Sequence, residues 1–348
     1  MISTVLLSAA FECQSGYPDA AARAGSMLAG RYGDRSGLVE MAVRAAVLPL
    51  VEAVWANGWS PEDLYQISRR RLDALGLGYL VDAIAEESQR HAVAGMHERW
   101  RDQLQQIGAV VWWEPGRGDQ MQGHLMQWTR RHGRDLADAL ATVIEVLAML
   151  RSLPALPRTM PPPGAATGGA SRRGVDQKVL ARVRALLAKA ESTTFPEEAE
   201  ALSAKAQELM SRYSLERIMV ETDEGSAPPP SSARRLWLDN PYVAAKALLV
   251  DAVAEANRCR TVLSEKLGFT TVLGDEVDLD LVEVLTTSLL VQATRAMVGA
   301  GSQTTRNGQS RTRSFRQSFL IAYATRIRER LTAARDAGAA EVADPGRL

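Results

Sequence analysis

Charge of one sign is missing from this chain. Its 348 residues hold 41 Lys and Arg against 41 Asp and Glu, so the net charge is zero. Whole-chain electrostatics therefore selects no partner, and any case for a charged ligand has to be local. Cysteine is scarce, with only Cys13 and Cys259, far apart in the sequence. Neither a disulfide framework nor a zinc spacing can be built from two such residues, and reduced thiols in the cytoplasm are the expectation. The histidines are His91, His97, His124 and His132, and none forms H-E-x-x-H. His124 and His132 can share a helical face but have no third ligand nearby, so all four are read as surface or interface residues. Nucleotide and nucleophile signatures are absent as well. There is no G-x-x-x-x-G-K-[ST], no G-x-S-x-G, and no histidine close in sequence to either cysteine. No cofactor is implied. No run approaches the roughly 18 apolar residues of a membrane span, and nothing points to a membrane partner. The opening MISTVLLSAAFEC lacks a basic start, so it reads as a first buried helix rather than an export signal.

What is present is ordinary globular material, 46% hydrophobic and 24% charged, enough for two or three domains. Two stretches break the helical periodicity. Leu153 to Gly174 is rich in Pro, Gly and Ala and reads as a flexible linker, and Glu221 to Arg235 reads as a shorter one. The expected layout is a helical domain over 1–152, a linker over 153–174, a helical hairpin over 175–220, a linker over 221–235, an α+β domain over 236–336 and a disordered tail over 337–348. In the first domain, apolar residues from Leu38 to Val54 recur at helical spacing until Gly58. Ser60, Pro61, Glu62 and Asp63 then make a capped restart. Two long helices are expected at about 80–107 and 120–150, with Trp112 and Trp113 between them. In the last domain, Asn240 and Pro241 announce a helix. RCRTVLS and FTTVLG announce a β-hairpin, and two further helices follow, giving α-β-β-α-α. The fold class is mostly α, with the hairpin packed on a small C-terminal α+β domain.

The hairpin is the best-defined piece. Val179, Val183, Leu186, Leu187 and Ala190 share one face, and Ala199, Leu202, Ala206, Leu209, Met210 and Tyr213 share another. Thr194 and Glu197 have capping-box spacing, with Pro196 in the first turn. Some 40 residues cannot bury both faces alone, so the hairpin has to dock on something, most economically on its own chain. Its phrases Ala190-Glu191-Ser192-Thr193, Glu198-Ala199-Glu200 and Lys205-Ala206-Gln207-Glu208-Leu209 resemble a bacterial and phage family known as domain of unknown function 2786. The phrases TSLLVQATRAM and SFRQSFLIAYATRIRERL resemble the domain that commonly follows it, and GWSPEDL resembles longer actinobacterial members. The resemblance implies a layout and no activity. Its frequent place near mobile elements is a pointer toward nucleic acid.

Local charge supplies the remaining signal. From Arg295 to Arg330 there are eight arginines and one acid, Glu329. Arg306, Arg311, Arg313 and Arg316 lie on a polar loop and the helix start behind it. Arginine suits bidentate phosphate contact. A second cluster, Arg172, Arg173, Lys178, Arg182, Arg184 and Lys189, surrounds the first hairpin helix. Such patches are what nucleic-acid binding predicts, and internal pairing with the acidic run Asp275 to Glu283 is the competing explanation. Phe315, Phe319 and Tyr323 fall on one helix face and read as core rather than as a stacking platform. The leading function is thus a non-enzymatic protein that binds DNA or RNA phosphates through Arg306, Arg311, Arg313, Arg316, Arg182, Lys178 and Lys189. One alternative is a metal-dependent hydrolase or nuclease-like enzyme with Asp275, Asp278 and Asp280 as ligands, although first-turn carboxylates are also what a helix dipole favours. Another is an adaptor for a protein partner.

Overall fold

The computed structural model describes residues 1–114, 123–165, 177–223, 232–301 and 311–343. The chain divides into two compact units, Met1–Gly169 and Ala170–Leu348.

The first unit is helical among its described residues: α1 (Ile2–Gln14), α2 (Ala20–Tyr32), α3 (Ser36–Ala56), α4 (Pro61–Ser68), α5 (Ala74–Ser88), α6 (Glu98–Gln106), α7 (His124–His132) and α8 (Leu136–Arg151). Helix α8 is the centre, packed by α1, α2, α3 and α5, and Leu140, Val143, Ile144, Val146 and Leu147 are fully buried on it. Gly25 allows α2 to come close, since a Cβ there would sit 2.5 Å from the carbonyl oxygen of Ala137. Ser60 caps α4 in a reciprocal box with Asp63, which satisfies two otherwise orphaned backbone donors.

Three expectations for this unit need correction. The two long helices are each broken. His97 caps α6, and Gly133 takes a left-handed conformation (φ 61°) before Asp135 caps α8. Glycine after the last turn and an aspartate cap make a stop and a restart within three residues. The first part of the expected linker is also held in place. Trp59 Nε1 donates to Pro154 O at 2.8 Å, Leu156 N–H to Asn57 O at 2.8 Å, and Gly164 N–H to Gly95 O at 3.1 Å. Gly58 (φ +87°) leaves room for this strap, because a Cβ there would meet Leu156 O at 2.0 Å.

The second unit runs α9 (Gln177–Ser192), α10 (Pro196–Asp223), β1 (Ser232–Trp237), α11 (Val243–Ala256), β2 (Arg260–Ser264), β3 (Phe269–Gly274), α12 (Glu276–Gly299) and α13 (Thr312–Ala343). The β-hairpin forms as expected. Strand β1 does not fit the expected linker, and it pairs antiparallel with β3 from Ser232↔Gly274 to Trp237↔Phe269 to give sheet order β1-β3-β2. Helix α11 starts at Val243, two residues later than Pro241 suggests, and α13 continues to Ala343, past the expected start of the tail at 337.

Helix α12 is long and apolar enough, by length and composition, to cross a membrane, which the search for apolar runs overlooked. Its acidic first turns explain that oversight, and its apolar face is already occupied. Leu279, Leu281, Val282, Leu285 and Leu289 are buried in one core with Val183 and Leu187 of α9, Ala206 and Met210 of α10, Val250 and Val253 of α11, and Ala324, Ile327 and Leu331 of α13. Each fully buried aliphatic side chain contributes about 1.5–3 kcal/mol, so the hairpin is fastened mainly by its own apolar stripe.

Candidate nucleic-acid interface

The hairpin turn is held differently from the capping box that Thr194 and Glu197 spell. Thr193 Oγ1 donates to Glu198 Oε2 at 2.6 Å and accepts from Phe195 N–H at 3.3 Å. Lys189 closes the turn on Glu198 at 3.1 Å. The hydrogen bonds from Thr193 and then Lys189 hold the Glu198 carboxyl below its usual range.

Polar pins fix how α10 docks. The buried amides of Gln207 and Asn257 exchange hydrogen bonds at 3.1 Å in each direction. Ser214 Oγ donates to Asp278 Oδ1 at 2.8 Å, and Gln292 Nε2 donates to Ser203 Oγ at 3.3 Å. With the apolar stripe facing inward, the cations of the hairpin are left outside. Arg182, Arg184, Lys189, Lys205 and Arg212 are all exposed. Arg182, Lys189, Lys205 and Arg212 border one groove of about 440 Å³ between the two helices, whose lining includes Ala185, Leu186 and Leu209. Lys178 is exposed at the start of α9 and does not line this groove.

The start of α13 carries the other expected residues. Arg311 and Arg313 are exposed and Arg316 is half-buried, and Arg316 Nε has no hydrogen-bond partner among the described residues. Arg306 lies outside the described residues, as do Arg172 and Arg173. Farther along α13 the arginines are engaged. Arg326 meets Glu329 at 3.6 Å, Arg328 meets Asp251 at 2.8 Å and also Glu255, and Arg330 meets Glu200. Phe319 and Tyr323 pack on Leu320 and Met297 as core, as their spacing predicts.

The acidic run is bound to other arginines. Asp275 caps α12, accepting from Val277 N–H at 3.0 Å, and pairs with Arg217 at 2.7 Å. Asp278 is buried between Ser214 and Arg258, the latter at 2.7 Å. Glu276, Asp280 and Glu283 converge on Arg234 of β1 at 3.0, 2.6 and 2.5 Å. Asp275, Asp278 and Asp280 therefore face three different arginines instead of one another. Among the described residues no three His, Cys, Asp or Glu side chains group as a metal site, so these carboxylates do not fit the ligand set of the hydrolase alternative. Arg234, Arg217 and Arg258 were missed in the sequence because nothing short-range marks which arginines the acids hold.

A second polar cluster lies in the first unit and corrects the reading of the histidines. His124 is buried, with Nε2 2.8 Å from Asp82 Oδ2. Trp112 Nε1 donates to Asp82 Oδ1 at 2.9 Å, and the ring of Trp113 lies 4.2 Å from the imidazole. Glu40 is buried alongside, accepting from Leu125 N–H at 2.9 Å. Burial pushes its carboxyl up, against the pull of His124 and the Leu125 amide. Gly123 makes the approach possible, since any Cβ there would fall 2.2 Å from Glu40. The cluster ties α3, α5 and α7 together. Its members are enclosed by rings, which suits a structural tie. Cys259 is equally enclosed, with burial pushing its thiol up to about 12, far from a reactive thiolate.

The second unit is therefore of a definite class: a helical hairpin docked on a small α+β domain, with cations on its outward side. Residues 178–217 match the model of a family described as a protein of unknown function (DUF2786), a segment that holds most of both hairpin helices and every residue lining the groove. No curated protein and no solved structure matches the chain.

Proposed function

We propose that this protein binds nucleic acid through its phosphates, using Arg311, Arg313 and Arg316 at the start of α13 together with Arg182, Lys178 and Lys189 on the hairpin. One observation carries the reading. The acidic run, the internal partner that the sequence offered for these cations, is bound to Arg217, Arg234 and Arg258, and among the described residues Arg182, Arg311, Arg313 and Arg316 form no ion pair. Unpaired exposed arginines favour phosphate oxygens and carry little sequence information. The protein is read as a binding protein rather than an enzyme, and its affinity is set by counterion release.

A mobility-shift titration with mixed-sequence DNA and RNA, from low to moderate salt, tests this. Binding is expected at low salt and is expected to weaken steeply as salt rises. Replacing Arg311, Arg313 and Arg316 by Gln should make the slope of log K against log salt on duplex DNA shallower by about 2.7, three contacts at about 0.9 each. Replacing them by Glu should abolish the shift. The absence of any shift at low salt would overturn the proposal.

A further inference from the structure

The groove between α9 and α10 has a plan that phosphate binding alone does not require. Arg182 and Lys189 are seven residues apart on one helix, and Lys205 and Arg212 are seven apart on the other. Seven residues are two turns, about 10 Å along the axis, so each pair stays on one face. The helices run antiparallel through the turn at 193–195. Counted from the turn, Lys189 stands nearest it, Lys205 and Arg182 lie at about the same level on facing helices, and Arg212 stands at the open end, with Leu186 and Leu209 among them. Both lysines are occupied, Lys189 by Glu198 at 3.1 Å and Lys205 by Glu208 at 2.6 Å. Arg182 and Arg212 have no partner among the described residues. The groove thus keeps its unpaired positive charge on the two arginines and has an apolar floor. An apolar floor gains nothing from a phosphate backbone, but it does gain from the face of a base.

Resting on the nucleic-acid reading above, we infer that the hairpin groove is a subsite for single-stranded nucleic acid, holding a phosphate between Arg182 and Arg212 and seating the attached base on Leu186 and Leu209. Width selects the strand form. Packed helices stand about 8–10 Å apart, and the furrow between them admits a flat base edge-on. A duplex keeps its bases paired and stacked and offers such a furrow only its phosphates. Extruding a base costs a few kcal/mol from a duplex and least from a strand that is already single. The floor is aliphatic, so the base is held by burial and not by ring stacking, and the site tolerates sequence. An acidic amphipathic peptide matches the groove less well, because its two lysines already have carboxylate partners.

Fluorescence anisotropy on the full-length protein decides the matter, using a labelled mixed-sequence single strand, the same strand in a duplex, and an abasic strand of equal length. The expected result is at least tenfold tighter binding of the single strand than of either other probe. Arg182→Glu with Arg212→Glu should remove that preference, and Leu186→Gln with Leu209→Gln should bring the intact strand down to the abasic one. Unchanged melting temperatures would show that the variants are folded. Equal affinity for all three probes would overturn the subsite while leaving the phosphate-binding reading in place. No binding of any probe at low salt would overturn both. A Glu- and Leu-rich helical peptide that binds where no oligonucleotide does would overturn the subsite in favour of a protein partner.

Discussion

Glu40 shows how one residue ties local geometry to stability. Its carboxylate is buried, satisfies the first turn of α7, and reaches it only because Gly123 has no side chain. Burial raises its pKa in the folded protein, so between the unfolded and folded values the native state binds more protons than the unfolded one. The Glu40 contribution is therefore fully present below the unfolded pKa and is lost as pH rises through the folded one. Glu40→Gln keeps an acceptor for the Leu125 amide and removes the titration. Urea unfolding at about pH 5 and pH 8 should show the variant gaining on the natural protein at the higher pH. A difference that is constant across pH would mean that the Glu40 pKa is the same in the folded and unfolded states. The tie was not legible in the sequence, because Glu40, Asp82 and His124 lie on three different helices. By contrast Ser60 was, because a cap depends on residues three apart.

At the scale of elements, the docking of α10 depends on Gln207 and Asn257. Removing one amide leaves the side-chain carbonyl of the other buried without its donor, at about 1–3 kcal/mol. Gln207→Leu and Asn257→Leu should each cost that much in chemical denaturation. The double variant should cost less than their sum, because neither polar group is then stranded. Strict additivity would mean that the pair is not coupled. Elements were readable where their signals are local. The hairpin stripes, the β-hairpin and the acidic start of α12 all appear where their periodicity or caps put them. Strand β1 was hidden because its inward residue is Arg234, whose burial depends on Glu276, Asp280 and Glu283 more than 40 residues away. The breaks before α6 and α8 were visible as His97, Gly133 and Asp135 but were outweighed by the apolar pattern on either side. At the interface, the arginines were legible as charge. Which of them stay unpaired was not, since that depends on where the acids point.

For the whole molecule, two separate cores predict two unfolding events. Scanning calorimetry should resolve two transitions, with Asp278→Ala lowering only one of them. Asp278 is buried between Ser214 and Arg258, so its loss should cost about 2–3 kcal/mol, or about 4–12 °C for a unit of this size. A single transition that moves as one would show that the units unfold together. The zero net charge is also a whole-molecule property, and it conceals how the charge is arranged. Acids and arginines cancel across the sheet and α12, while the hairpin and the start of α13 keep arginines that form no ion pair among the described residues.

Helix α12 has a consequence for how the chain is made. Its apolar face is closed in part by Ala324, Ile327 and Leu331, which belong to the last helix. During synthesis α12 leaves the ribosome well before those residues exist, and for that interval a helix with the length and hydropathy of a membrane span has only the earlier helices to cover it and lies open on the side that α13 takes. The unit cannot complete its fold as it emerges and has to wait for α13. A reading-frame error or early stop after Gly299 would therefore release a sticky intermediate, prone to clumping or to capture by chaperones, and not a smaller working protein.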